Sequence, residues 1–417
     1  MVPSQRAGVV MNGQASDRAD IVVAGGGQVG LVLGLALRRG APNLSLAVVD
    51  AAPVAAADNR ASAIAAAGRR MLEALGVWDA VAGEAQPIAE MIVTDSRTRD
   101  VARPVFLTFD GKAQDGGPFA HMVPNAALTA ALAAALRASG GTIVAPAGVR
   151  DFEVREDRVT VRLDRGTIDA RLLVAADGVR SRLRDLAGIR TVAVDYGQAG
   201  IVVTVEHERP HGGRAEEHFL PAGPFAILPL RGNRASLVWT EARANAERLV
   251  AADAPTFQRA LERRFGHRLG KVTPVGPARA FPLGLTLARS FVKPRFALVG
   301  DAAHGIHPIA GQGLNLGYRD AAALAETIVD ADRLGLDIGA LSVLERYERW
   351  RRFDTVEMGL VTDGLNRLFS NDNPLVRLVR DVGLGIVDRL PGLKRLFMRE
   401  AAGEGGDLPR LLRGEAI

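Results

Sequence analysis

The sequence predicts an α/β fold: a parallel, doubly wound sheet, an interleaved, mainly antiparallel β lobe, and a C-terminal helical segment. Three observations predict it. A strand, a glycine-rich turn, a helix and a second strand follow one another between Asp20 and Asp50, the βαβ order of a parallel sheet. Apolar residues alternate with polar ones between Val149 and Ala175 and again from Thr191 to about Phe281, the period of half-buried antiparallel strands. After Gly311 the pattern is helical to about Phe369.

Taken in order, residues 20–24 are continuously apolar and form a buried strand, 29–39 a helix, and 45–49 a second strand ending at Asp50. Residues 60–75 are rich in alanine and helical by propensity. Strands follow at 91–94 and 105–109. Residues 125–138 are a helix, since Leu128, Leu132 and Leu136 recur on one face. Val159, Val161 and Leu163 alternate with polar neighbours, and 171–176 is again a buried strand. In the β lobe, 201–205, 225–230 and 235–240 are strands, with Phe225 and Trp239 in the core. Residues 295–299 return to a buried strand that completes the first sheet. The chain thus divides into an N-terminal tail (1–18), a first nucleotide-binding part with a β excursion (19–190), a β lobe (191–283), the completion of the first domain with its long helices (284–370) and an amphipathic helical segment (371–417).

Composition narrows the function. The 417 residues include no cysteine, which excludes disulfides, thiolate nucleophiles and cysteine-held metal or iron–sulfur centres. The net charge is only +5 and aromatics are 5%, which argues against a nucleic-acid surface. The uncharged stretch 21–37 contains five glycines and is a poor bilayer span. It also lacks the flanks of a signal peptide. A protein that is soluble in the cytoplasm or peripheral on the inner face of the membrane is expected.

Three blocks point to a nucleotide. Gly25-Gly26-Gly27-Gln28-Val29-Gly30 matches G-x-G-x-x-G. Gly25 suits the tight turn, Gly27 the close approach of a pyrophosphate, and Gly30 the packing of helix on strand. Asp50 stands where a carboxylate accepts both ribose hydroxyls and repels a 2′-phosphate, favouring FAD or NAD. The second block ends a buried strand in Asp177-Gly178. The third delivers Gly300-Asp301 at a strand end, followed by Pro308, Gly311, Gln312, Gly313, Leu314 and Asn315 at the start of a long helix, whose bare amides suit an anion or an electron-rich ring edge.

In this order and spacing the blocks resemble the flavin-dependent aromatic monooxygenases of the p-hydroxybenzoate hydroxylase-like group. The segments 60–78, 223–239, 300–320 and 362–373, with the tail 391–401, are most similar to the ubiquinone-biosynthesis hydroxylases. The resemblance implies a Rossmann-like FAD-binding domain. It places Gly25, Gly27, Gly30 and Asp50 on the ADP half of FAD and Arg60 on the flavin or its pyrophosphate. It makes Asn125 a polar contact to FAD, although Pro124 replaces the acidic residue frequent before it. Asp177 falls in the motif shared by FAD and the nicotinamide cofactor. Gly300 and Asp301 fall at the ribitol, and Pro308 with Gly311, Gln312, Gly313, Leu314 and Asn315 flank the isoalloxazine.

The implied reaction is hydroxylation of the ring of a polyprenylated phenol or quinol with NAD(P)H and O2, through a flavin C4a-hydroperoxide. No catalytic triad or metal is then required. His304 and His307 form an HxxH pair better suited to supporting the site than to holding a metal. His218 is the candidate facing the substrate, against the alternative of a surface strand residue. Residues 375–399 carry six Lys/Arg among spaced apolar side chains. This pattern suits an anionic membrane surface, or packing on the enzyme's own domain or on a partner in a ubiquinone-biosynthesis complex. Competing readings are a monooxygenase of a small soluble aromatic compound, another enzyme on the same fold, and a non-catalytic flavoprotein.

Overall fold

The computed structural model describes residues 17–53, 58–95, 105–109, 112–113, 115–306, 311–369 and 398–417. The apolar run from Ile21 to Val23 is fully buried, as a strand covered on both faces must be. This strand, Asp17–Ala24, lies inside the first sheet, parallel to Thr167–Ala175 on one side and Leu46–Val49 on the other. Phe296–Leu298 adds in parallel beyond Thr167–Ala175, and Thr142–Val144 beyond Leu46–Val49. The strand expected near 295–299 therefore does complete the sheet begun at residue 17. The strand also begins earlier than expected. Asp17 and Arg18, assigned above to a tail, pair with Ile168 and Asp169.

Among the described residues the second sheet has eight strands in the order His304–Gly305, Val272–Ala288, Thr191–His207, Arg234–Ala242, Gly223–Leu230, Arg214–Leu220, Glu90–Asp95 and Val105–Phe109. All its pairs are antiparallel except Arg214–Leu220 with Glu90–Asp95. Two of these strands come from before residue 110, so the chain enters this lobe twice. Helices Arg243–Val250 and Ala254–Phe265, hidden in sequence by the surrounding alternation, add to the lobe. The second is started by Asp253, whose carboxylate accepts the Thr256 N–H at 2.9 Å. Phe225 and Trp239 are fully buried in the core these helices share with the sheet, with ring centroids 6.1 Å apart.

A third, small sheet corrects the reading of residues 60–75. Ala61–Ala65 is a strand, antiparallel to Ala120–Pro124, and only Ala66–Ala74 is helical. Alanine favours helix in isolation, but here tertiary pairing claims the backbone. Asn315 adds to that pairing: its Oδ1 accepts the Ala65 N–H and its Nδ2 donates to the Ala63 carbonyl, both at 2.9 Å.

Helix Gln28–Gly40 packs along Gln312–Arg333, which in turn packs on Leu341–Phe369. Of the amphipathic stretch 375–399, everything up to residue 397 lies outside the described residues. Among the described residues no helix is long and apolar enough to cross a membrane.

Candidate active site

The parallel strands end together at Ala24, Val49, Ala175 and Leu298, and the turns that follow build one end of the site. Gly25 donates to the Val49 carbonyl at 2.8 Å and adopts φ +123°. A Cβ there would collide with the Ala176 carbonyl, and one on Gly30 would collide with the Gly25 carbonyl. Gly27 is different. It caps the first helix with extended backbone, and nothing lies within 4 Å of where its Cβ would be. Its open face, with Gly26, Asp50 and Arg60, lines a cavity of about 320 Å³. Asp50 is aimed there by two amides, accepting from Gly26 and, at 2.7 Å, from Ala52.

Arg60 stands where this cavity meets a second one of about 340 Å³, and lines both. Asp58 fixes it with a fork of two bonds, 2.9 Å to Nε and 2.8 Å to a terminal nitrogen, while the guanidinium lies 5.5 Å from the centre of the Phe281 ring. Burial acts to raise the Asp58 pKa, but the bonds from Arg60 and Asn125 outweigh it and hold the carboxyl at about 2. Asn125, expected to touch the ligand, lines neither cavity. Its amide donates to Asp58 at 3.0 Å and its oxygen accepts from Ser62 at 2.7 Å, so it supports Arg60 through Asp58.

The second cavity has two unlike walls. One is the turn at Asp301 and the helix start Gly311, Gln312, Gly313, Leu314 and Asn315. Beneath it lies a buried charge network. Asp320 accepts the Gly300 N–H at 3.0 Å, bonds to His304 Nε2, and takes Arg351 Nε at 2.9 Å. Burial opposes ionisation of Asp320, but His304 and Arg351 outweigh it and lower its pKa. The network fixes the turn on which Asp301 sits. Asp301 lines the cavity and is open to solvent there, while the protein packed around its carboxyl raises its pKa against the pull of His304 and Arg60.

The opposite wall is the β lobe: Ala215, Pro224, Ala226, Leu228 and Val238, with Glu217 and Thr240 as its polar groups. Here the sequence reading is corrected. His218 is neither on the surface nor on this wall. It is 3% exposed, bonds to Thr94 at 2.8 Å and to Glu216 at 3.1 Å, and stacks on Phe225 on the helix-covered face. Strand residues alternate in direction, so its neighbour Glu217 is the one turned to the cavity.

Asp177 also lines neither cavity. One of its oxygens accepts from Leu183 N–H at 3.3 Å and the other is buried without a partner among the described residues. Gly25, Gly30 and Gly300 shape turns behind the cavity walls. Pro308 and His307 lie outside the described residues. Asp58, Glu217, Thr240, Asp320 and Arg351 are the additions that sequence reasoning did not find.

Two joined cavities, a glycine-opened helix N-terminus on one, a ring-edge amide row on the other and an arginine between them fit a dinucleotide that carries a flat ring. Comparison with known proteins agrees. Residues 18–352 match the family model described as FAD binding domain. The chain is 48% identical over 414 residues to the ubiquinone hydroxylase UbiL of Rhodospirillum rubrum, covering 97% of this chain and 95% of that protein. It is 38% identical over 392 residues to the 3-demethoxyubiquinol 3-hydroxylase of Escherichia coli, covering 92% and 98%. The crystal structure of p-nitrophenol 4-monooxygenase PnpA from Pseudomonas putida shares the fold at TM-score 0.77 and 20% identity, covering 94% and 99%.

Proposed function

This chain belongs to the FAD binding domain family, and on that premise we propose that it hydroxylates the ring of a polyprenylated phenol intermediate of ubiquinone biosynthesis, using NAD(P)H and O2. It is an FAD-dependent oxidoreductase acting on an aromatic ring. The observation that carries the substrate reading is the end-to-end likeness to two hydroxylases named for ubiquinone chemistry. The apolar β wall of the second cavity supports it, since it suits a ring bearing a hydrocarbon chain.

When bound, FAD supplies the oxygen activation that ring hydroxylation needs. The chain's own groups hold and orient. The helix start at Gly27 takes the pyrophosphate on its amides, and Asp50 takes the ribose hydroxyls. Arg60, held by Asp58, reaches the pyrophosphate from between the cavities. Asp301 accepts a ribitol hydroxyl. The amides following Gly311 would hold the ring edge and stabilise negative charge on it. Asn315 fixes that loop against Ala61–Ala65. The β wall excludes water from the reacting ring. The basic residues among 375–399 bring the enzyme to the anionic membrane surface that holds its substrate, which liposome flotation checks.

Complementation of mutants blocked at each ring hydroxylation of the quinone pathway tests the reading. The expected result is rescue of at least one strain, with loss of its accumulated intermediate by mass. Failure of every strain, together with hydroxylation of a small water-soluble phenol by the purified FAD-loaded enzyme, would replace it with the soluble-aromatic reading.

A further inference from the structure

Two buried polar groups on the β wall have no side-chain partner among the described residues. Glu217 is 5% exposed, lines the second cavity, and makes no side-chain hydrogen bond or ion pair among the described residues. Thr240 is 2% exposed, lines the same cavity, and its hydroxyl is buried without a partner. Burying a carboxyl without a partner is costly, and a ligand in the cavity would satisfy it. Its surroundings sharpen the point. Its cross-strand neighbours are Val93 and Ala226. The charged groups that share its cavity are Arg60 and Asp301, on the other wall. Desolvation alone pushes its carboxyl up to about 7, where it is poised to take a proton near neutral pH.

We propose that Glu217 is the catalytic proton acceptor for the substrate: its carboxylate takes a hydrogen bond, and then the proton, from the phenolic hydroxyl of the ring bound in the second cavity, with Thr240 as the second polar contact. The inference rests on the phenol reading above and names the residue that acts on it. The phenolic O–H bond breaks and an O–H bond forms on Glu217. The electron pair left on oxygen enriches the ortho and para ring carbons, which attack the electrophilic oxygen delivered by the FAD- and NAD(P)H-dependent reaction. As the ring regains aromaticity the attacked carbon loses its proton to solvent, and Glu217 returns its proton to the original oxygen. The carboxyl ends each cycle unchanged. His218, one residue on, faces the other side of the sheet and takes no part.

The test uses the full-length FAD-loaded protein with 2-geranylphenol and its O-methyl ether, binding measured by calorimetry at pH 6 and pH 8 and turnover measured separately. Wild type should bind the phenol about tenfold more tightly than the ether at pH 8, with much less preference at pH 6. Glu217→Gln should lose the preference and its pH dependence, and lower kcat by about 100-fold at pH 8. Glu217→Asp should retain the pH step with weaker binding. Thr240→Val should weaken phenol binding and leave the step in place. Melting and the visible flavin spectrum of each variant check that it is folded and loaded. A wild type indifferent to the ether, or a Glu217→Gln enzyme with the wild-type preference and kcat, would overturn the inference. If wild type hydroxylates no prenylated phenol, yet shows a pH-dependent preference that vanishes in Glu217→Gln, Glu217's role stands and the ubiquinone reading falls.

Discussion

The two walls of the second cavity are made of different material. The wall at Asp301 and Gly311–Asn315 belongs to the nucleotide-binding part and is shaped by backbone: a turn fixed by a buried ion network and a helix start opened by Gly311 in the left-handed conformation. The wall from the β lobe is shaped by side chains standing off a pleated sheet, apolar except for Glu217 and Thr240. The first holds what is common to a chemistry and the second selects what the chemistry acts on. A loop of amides recognises any phosphate or ring edge of the right shape, whereas a sheet face can be repopulated residue by residue without moving the backbone.

The largest effect is expected where the backbone wall tolerates no side chain. Gly25→Ala combines a left-handed φ with a collision against the Ala176 carbonyl. It should cost on the order of 5 kcal/mol in urea unfolding, or abolish soluble expression. A near-wild-type midpoint would show that the turn is softer than its geometry, and the contrast between walls would weaken.

Next comes the ion network beneath the turn. Asp320→Ala leaves buried His304 without its carboxylate and Arg351 with Asp354 alone, and should cost about 3–5 kcal/mol. The sign with pH follows from the lowered pKa of Asp320. Its contribution is present above the ordinary carboxyl value of 3.8 and fades as pH falls through the lowered folded value. The gap between wild type and variant in denaturant titrations should therefore close in acid. A gap that widens would mean that Asp320 does not carry the charge assigned to it.

The side-chain wall behaves oppositely. Glu217 has its pKa raised from 4.5 to about 7 by burial, so ionising it opposes folding. Its share of stability is complete below pH 4.5 and is lost as pH rises through about 7. Glu217→Gln should therefore make the FAD-free protein more stable than wild type at pH 8, by about 3 kcal/mol, with most of the difference gone at pH 5. A carboxyl kept at a cost to stability is what a functional wall would contain.

How legible each wall was follows from the same difference. The glycine turn could be read from G-x-G-x-x-G because part of its steric demand is local: Gly30 meets the carbonyl of Gly25 in its own turn, although the carbonyl that excludes a side chain at Gly25 is that of Ala176 on a distant strand end. The strand at Ala61–Ala65 could not, because its conformation is decided by Ala120–Pro124 and Asn315, far along the chain. Nor could the choice between Glu217 and His218. Glu216-Glu217-His218 offers three polar residues in a row, and only the pairing of this strand with Glu90–Asp95 and Gly223–Leu230 fixes which one looks into the cavity. Asn125 was placed on the right helix start, but its side chain is turned to Asp58 and Ser62, a choice between partners that no spacing encodes.

The smallest change in stability gives the cleanest division between fold and ligand. Gly27→Ala keeps an ordinary extended φ of −70°, and its new methyl meets nothing within 4 Å. Unfolding of the FAD-free variant should match wild type within about 0.5 kcal/mol. The methyl nevertheless projects from the helix start that the dinucleotide must approach, so FAD affinity, followed by flavin fluorescence quenching, should fall by about tenfold or more. Gly25→Ala would lose cofactor because the fold is lost, whereas Gly27→Ala would lose it with the fold intact. If FAD affinity survives in Gly27→Ala, the open face of that turn is not where the pyrophosphate lies, and the assignment of the first cavity to the ADP half fails with it.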